Sequence, residues 1–151
     1  MKITLVNKSK VRPSKKFIEK WLNFLGQELI HRKARQCKRL KGAELTVVFL
    51  EQRKARRLNR VFRKKDYATD ILSFSGDDGS ELGELVLCPS VLVRQAKEHE
   101  LSFQQELAYL LTHGVLHLLG YDHEKSKREA RIMMNLQDQI FAEGLDRFSK
   151  N

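Results

Sequence analysis

Apolar positions along the chain follow two spacings, one typical of helices and one typical of strands. Helical spacing predicts five helices: four lie near residues 15–30, 52–63, 103–119 and 124–143, and one begins at Pro89 and includes Val91, Leu92, Gln95 and Ala96. Short β-branched or apolar runs predict four strands, at residues 3–6, 45–50, 71–75 and 82–88. The polar turn 76–80 joins the last two strands, which predicts an antiparallel hairpin. The fold class is therefore α+β (mixed α/β), with a small four-stranded mixed sheet packed by about five helices.

The helical segments carry apolar stripes that are expected to face the core. In the second helix the apolar set is Ala55, Leu58, Val61 and Phe62, and in the last it is Met133, Leu136, Ile140 and Phe141. Ser102 and Gln105 form a capping-box pattern at the start of the fourth helix, and Gly120 is expected to end it. No repeat or linker interrupts the pattern, so a single domain over residues 1–151 is expected.

The composition favours a cytoplasmic protein that does not cross a membrane. Apolar residues make up 41% of the 151 positions, but no run is long enough to span a bilayer. The first ten residues read as a strand followed by basic residues, without the apolar core of an export signal. Cys37 and Cys88 lie in no metal-binding spacing, and two reduced thiols are expected.

Charge is divided unevenly between the two halves of the chain. Residues 1–65 hold 21 Lys and Arg against 4 Asp and Glu, a net charge of +17. Residues 66–151 hold 8 against 15, a net charge of −7. The basic half suits a polyanion, with nucleic acid as the first candidate and a merely solvated basic face as the alternative. The acidic half is compatible with RNA binding if its acids lie on the outer face of the last helix, as expected for Glu124, Glu129, Asp138 and Glu143.

Three histidines form a candidate metal site. His113 and His117 are four positions apart in a predicted helix, so they share one face, and the turn at Gly120 can return His123 to the same point. Three imidazoles on Zn²⁺ leave one coordination position open, as in catalytic zinc sites. A structural zinc would recruit a fourth ligand such as Cys88, which lies on a distant strand. Imidazoles also bind Ni²⁺, Co²⁺ or Cu²⁺.

The histidine spacing matches the metzincin zinc-protease pattern HExxHxxGxxH with one departure. The glutamate that serves as general base in such proteases is replaced by Gly114. Peptide hydrolysis needs a group at that place to take a proton from water. The sequence therefore argues against a peptidase on a metzincin-like helix.

Three blocks resemble the YbeY family of bacterial rRNA-maturation endoribonucleases. They are HGVLHLLGYDH at 113–123, LNRVFRKKDYATDILSF at 58–74 and LGELVLC at 82–88, and their order and spacing fit the family. The departures are small: Glu84 stands where Asp is more usual, and Tyr67 occupies a variable position.

The resemblance implies a metal-dependent, single-strand-specific endoribonuclease that matures the 3′ end of small-subunit rRNA and acts in ribosome quality control. It implies one Zn²⁺ per chain on His113, His117 and His123, and it implies that Arg63 is the important basic residue of the active cleft. The implied partners are single-stranded RNA and the small ribosomal subunit, without DNA or a membrane. A non-catalytic, RNA-binding assembly factor with a stabilising zinc is the alternative.

Several roles stay open from the residues alone. Asp70 and Asp122 either shape turns or orient a ligand histidine, and turns are the expected role. Tyr121 either packs or donates to a phosphate, and packing is expected. The sequence does not identify a general base, and it does not distinguish attack by water from attack by a 2′-OH. The cleavage position and the oligomeric state are not readable either.

Overall fold

A computed structural model describes residues 1–77 and 79–150. This part of the chain forms five α-helices, one short 3₁₀ helix and four strands. The elements in chain order are β1 (Lys2–Lys8), α1 (Lys15–His31), the 3₁₀ helix (Cys37–Leu40), β2 (Glu44–Leu50), α2 (Gln52–Arg63), β3 (Ile71–Ser75), β4 (Glu81–Leu87), α3 (Pro89–Glu98), α4 (Phe103–Leu118) and α5 (Lys127–Ser149). The predicted α+β class is confirmed.

The four strands form one mixed sheet in the order β1-β2-β4-β3. β1 and β4 run parallel to β2, while β3 and β4 pair antiparallel, so the predicted hairpin is confirmed. Ser75 lies opposite Gly83 in this pair. Gly83 has φ +146°, and a Cβ there would collide with the carbonyl oxygen of Phe74 and lie 2.8 Å from a methyl group of Leu118. Glycine is therefore needed where α4 crosses the hairpin.

The central helix of the fold is α4, which packs against the sheet and against α1, α3 and α5. The predicted capping box is present, with Ser102 and Gln105 bonding reciprocally. Gly114 lies directly over the sheet, since a Cβ there would be 2.7 Å from Leu85 and 2.8 Å from Ile71. A glutamate at this position would have to displace the side-chain ends of Leu85 and Ile71, which is a packing contribution to the departure from the protease pattern.

The last helix differs from the prediction at both ends. It begins at Lys127 rather than at residue 124, because Ser126 caps it by accepting a hydrogen bond from the amide of Glu129. It continues to Ser149, and within this extension Gly144 packs closely against the Trp21 ring of α1. The predicted apolar face is otherwise correct: Met133 and Ile140 are fully buried.

The predicted apolar face of α2 is wrong in its second half. Ala55 is buried, but Val61 and Phe62 are 62% and 61% exposed. Helical spacing alone does not reveal that these two side chains of the C-terminal turn of α2 stay exposed. Within the described residues, Cys37 and Cys88 are free thiols, and no helix has the length and apolar content needed to cross a membrane.

Candidate active site

The three predicted histidines meet at one point. His113 and His117 lie one helical turn apart on α4, and their ring centroids are 4.6 Å apart. After α4 the chain reverses at Gly120, whose φ of +90° favours glycine, and this turn returns His123 to the pair. The His123 centroid lies 5.2 Å from that of His113 and 5.0 Å from that of His117. One nitrogen from each ring falls within 4.8 Å of the other two.

Basic residues from the segment after α1 hold the turn that carries His123. Arg39 donates to the carbonyl oxygen of Leu118 at 2.8 Å, and Arg35 donates to that of Gly120 at 3.0 Å. The Tyr121 hydroxyl accepts a hydrogen bond from the Arg35 amide, and the Arg35 guanidinium lies over the Tyr121 ring. Tyr121 is only 5% exposed, which agrees with the packing role that was expected for it.

Gln137 orients His113. Its amide oxygen on α5 lies 2.9 Å from Nδ1 of His113, and the Gln137 side chain is fully buried. Because an amide oxygen only accepts, Nδ1 carries the proton and Nε2 keeps its lone pair free. Sequence reasoning missed Gln137. The available signal was a polar residue between Met133 and Ile140 on the apolar stripe of the last helix.

Burial keeps the α4 imidazoles neutral. Removal from water lowers the pKa of His113, and a hydrogen bond with Gln137 partly offsets this effect. Burial, with smaller contributions from His113 and His123, lowers the pKa of His117 to about 4. Both rings are therefore unprotonated near pH 7, which is the form that binds a metal.

The donor set fits a divalent metal ion. Nε2 of His113 and Nε2 of His117 are 3.1 Å apart. Two nitrogens on one tetrahedral zinc ion, at the usual bond length, lie about 3.3–3.4 Å apart. In addition, Nδ1 of His123 is buried and has no hydrogen-bond partner among the described residues. The cluster contains no cysteine among these residues, and Cys88 instead contacts Ser90, so a closed four-ligand site lacks its expected fourth ligand.

The histidines open into a cleft of about 610 Å³. Its lining consists of the three histidines, all five residues of β3, and Phe62, Arg63, Asp70, Leu118 and Glu124. Arg63 is the last residue of α2, and its side chain is 40% exposed. Its Nη2 lies 3.7 Å from an oxygen of Glu124. The structure thus brings the predicted arginine and the predicted histidines to the same cavity.

Four acidic residues were expected on the outer face of the last helix, and the structure places one of them elsewhere. Glu124 lines the cleft instead of the outer face of the last helix, so that prediction is wrong for Glu124. The helix begins three residues later, and Asp122 shapes the intervening turn by accepting from the Glu124 amide at 2.9 Å. Glu129 and Glu143 do lie on α5, where they pair with arginines that follow α1.

Asp70 lines the cleft without bonding a histidine. Its carboxylate accepts from the Ile71 amide at 2.7 Å and from the Thr69 hydroxyl at 3.3 Å. The expected turn-shaping role of Asp70 agrees with these contacts. Orientation of His113, the alternative considered for such an acid, is performed by Gln137.

Comparison with known proteins places the chain in a family. The family model described as Endoribonuclease YbeY matches residues 4–144. The chain belongs to this family. A relative from Bdellovibrio bacteriovorus named Endoribonuclease YbeY is 51% identical over 141 residues, which are 93% of each chain. A relative of the same name from Persephonella marina is 38% identical, over 72% of this chain and 75% of the other.

A solved structure supports the fold assignment. The solution structure of a protein from Thermotoga maritima is 27% identical to this chain and superimposes with a TM-score of 0.67. The match covers 99% of this chain and 93% of the other. The family match over residues 4–144, which includes all three sequence blocks, confirms their YbeY resemblance.

Proposed function

We propose that this chain is a single-strand-specific endoribonuclease that uses one zinc ion and acts in maturation of small-subunit rRNA. The observation that carries the proposal is that Arg63 and the three histidines line the same open cleft. The names of the YbeY relatives support the class of reaction. A processing role in rRNA would place the protein in the cytoplasm, and this localisation stays a prediction. A single domain over residues 1–151 also stays a prediction.

Metal binding and phosphate binding would be performed by different residues of the cleft. His113, His117 and His123 would hold the ion, which when bound supplies Lewis-acid stabilisation of a phosphodiester. Arg63 would hold the scissile phosphate through paired guanidinium hydrogen bonds and offset the negative charge that grows on it. Glu124 lies near Arg63 in the cleft, so the phosphate would take the place of a carboxylate.

RNA would reach the cleft along α2. This helix has twelve residues, of which five are arginine and one is lysine, and it contains no acidic residue. It ends at Arg63 on the cleft, so the positive charge leads to the site. Such a surface binds the phosphate backbone without sequence preference.

The nucleophile stays open between water and the 2′-OH of the substrate. Asp70 and Glu124 are the carboxylates that line the cleft within the described residues. Asp70 is held by backbone and hydroxyl hydrogen bonds, and Glu124 lies near Arg63. Analysis of the product ends decides between the two mechanisms, because attack by the 2′-OH leaves a cyclic phosphate and attack by water does not.

The decisive experiment compares cleavage of a structured RNA by wild type, by the Arg63→Ala variant and by chelator-treated protein with and without added Zn²⁺. Arg57→Ala is the matched control, because Arg57 is exposed on the same helix but does not line the cleft. We expect cuts in unpaired segments only. Arg63→Ala should reduce cleavage by about 100-fold, the loss typical when one transition-state donor is removed.

Other outcomes would support a different function. Equal cleavage by all preparations indicates a contaminating nuclease and ends the proposal. No cleavage by wild type under any metal condition, with rRNA binding retained and folding lost in His117→Ala, supports the non-catalytic assembly factor. A peptidase is disfavoured because Gly114, which packs on Leu85 and Ile71, supplies no general-base carboxylate.

A further inference from the structure

Phe62 exposes an aromatic ring in the cleft. The residue is 61% exposed, although it belongs to a helix packed on the body of the protein. Its ring makes an edge-to-face contact with Phe74, with centroids 5.1 Å apart and planes at 75°. Phe74 lies on β3 and packs on the small cluster of Val48, Leu50, Leu72 and Val86. The contact orients the Phe62 ring and leaves more than half of its surface free.

The surroundings of Phe62 suit a nucleobase. Phe62 precedes Arg63 directly, and both side chains line the cleft. The base and the phosphate of a nucleotide are joined through one sugar, so adjacent side chains can contact both. Aromatic rings in positively charged grooves are the usual platforms on which unpaired bases stack.

We propose that the Phe62 ring stacks on one unpaired base of the RNA, beside the phosphate that Arg63 holds. The inference rests on the proposed function and assigns a specificity-determining residue to it. A base within a duplex is already stacked and paired, so it cannot reach the ring without the helix opening. Stacking on Phe62 therefore favours single strands and accepts any base.

An alternative occupant of this surface is a protein that docks on the exposed pair Val61 and Phe62. The charge of α2 favours RNA, because an apolar protein contact would have to form among five arginines and a lysine. The position of Phe62 also favours RNA, because Phe62 lines the cleft and the equally exposed Val61 does not. This difference makes Val61 the matched control.

The test measures binding of a labelled single-stranded 2′-O-methyl oligoribonucleotide by fluorescence anisotropy, with a gel to show that the probe stays intact. We expect Phe62→Ala to weaken binding about tenfold, within the range for loss of one base stack. Val61→Ala should stay within twofold of wild type. Phe62→Tyr keeps the aromatic face and should restore most of the affinity. Thermal unfolding of each variant checks that the fold is intact.

A scan with abasic nucleotides identifies the stacked base. At one position, removing the base should weaken binding to wild type and leave binding to Phe62→Ala unchanged. The inference is overturned if Phe62→Ala and Val61→Ala bind the probe with equal affinity. It is also overturned if, at every position, removing the base weakens binding to wild type and to Phe62→Ala equally. If wild type cleaves RNA while either result is obtained, only the stacking role fails. If wild type neither binds nor cleaves RNA, the proposed function fails with it.

Discussion

The two walls of the cleft differ in how their side chains are held. The histidine wall consists of α4, residues 119–126 and Gln137, and the arginine wall consists of α2 and residues 64–70. On the histidine wall a fully buried amide bonds His113, and two arginines bond the carbonyl oxygens at the end of α4. On the arginine wall, Phe62 is 61% exposed and the Arg63 side chain is 40% exposed. Under the proposed function, the first wall would be preorganised for a small ion, and the second would adjust to a polymer.

The comparison also separates two kinds of positive charge. Arg35 pairs with Glu129, and Arg39 bonds the carbonyl oxygen of Leu118, so these arginines brace the histidine wall. Arg53 and Arg57 on α2 are exposed, and Arg56 is paired with Asp66. The net charge of +17 in residues 1–65 therefore overstates the charge that faces a nucleic acid.

The largest effect on the histidine wall is expected from Gln137→Leu. This change removes the acceptor that orients His113, and loss of such an outer partner typically lowers metal affinity by about 10- to 100-fold. Competition with a chromophoric chelator measures the affinity of metal-free protein for Zn²⁺. Gln139→Leu is the control, because Gln139 is exposed on the same helix. Equal affinities of the two variants would show that Gln137 only fills space.

If arginines brace the histidine wall, removing one of them should lower the stability of the protein, whereas removing an exposed arginine of α2 should not. Arg39→Ala leaves the carbonyl oxygen of Leu118 without its donor, and loss of such a hydrogen bond costs about 1–2 kcal/mol. Arg57→Ala removes an exposed charge and should change the free energy of unfolding by less than about 0.5 kcal/mol. Urea denaturation measures both. If the two variants lose the same stability, the distinction between bracing and solvent-facing arginines is wrong.

Local signals account for most of what the sequence predicted. The spacing of α1, the capping box of α4, the β3–β4 hairpin and the three histidines depend on neighbours within a few residues, and all four agree with the structure. The start of α5 was also signalled locally, by Ser126 and Glu129, but that capping pattern was not recognised in the sequence.

The errors arise where tertiary contacts decide. Phe62 has the spacing of a core residue, yet it meets the sheet only through the Phe74 ring at the cleft and stays 61% exposed. Gln137 gains its role only because α5 passes beside His113, 24 residues away along the chain. Glu124 turns toward the cleft because the helix begins after it. The placements of Phe62 and Gln137 do not follow from their own sequence neighbours, whereas that of Glu124 follows from the capping pattern of Ser126 and Glu129.

Glu124 couples the two walls, since it follows His123 and lies near Arg63. Both partners are largely exposed, so the pair contributes below about 1 kcal/mol. Glu124→Gln removes a carboxylate that competes with phosphate and should tighten RNA binding about two- to fivefold, an effect that salt weakens. Anisotropy titrations at two salt concentrations measure it. Glu129→Gln, which alters an acid paired with Arg35 instead, is the control and should leave RNA affinity unchanged.

A weaker affinity in Glu124→Gln would contradict competition. It would indicate that the carboxylate takes part in RNA binding. Measuring cleavage in the same variant tests a second role of Glu124, because a role in proton transfer lowers the rate of cleavage without weakening RNA binding.

The smallest expected effect is a pH dependence of folding stability, which arises at the N-terminal end of α4 in the histidine wall. Glu106 on α4 is buried and bonds Nδ1 of His99 at 2.9 Å, and this hydrogen bond raises the pKa of His99. Between the ordinary and the raised pKa the folded state binds more protons than the unfolded state, so stability falls as pH rises. Because the His99 side chain is 54% exposed, the loss should be below about 0.5 kcal/mol. Urea denaturation at pH 5.5 and 8.5 measures the free energy of unfolding of wild type and of His99→Gln. The excess stability of wild type should be larger at the lower pH. If wild type exceeds His99→Gln in stability by the same amount at both pH values, the His99–Glu106 contact does not depend on the charge of the imidazole.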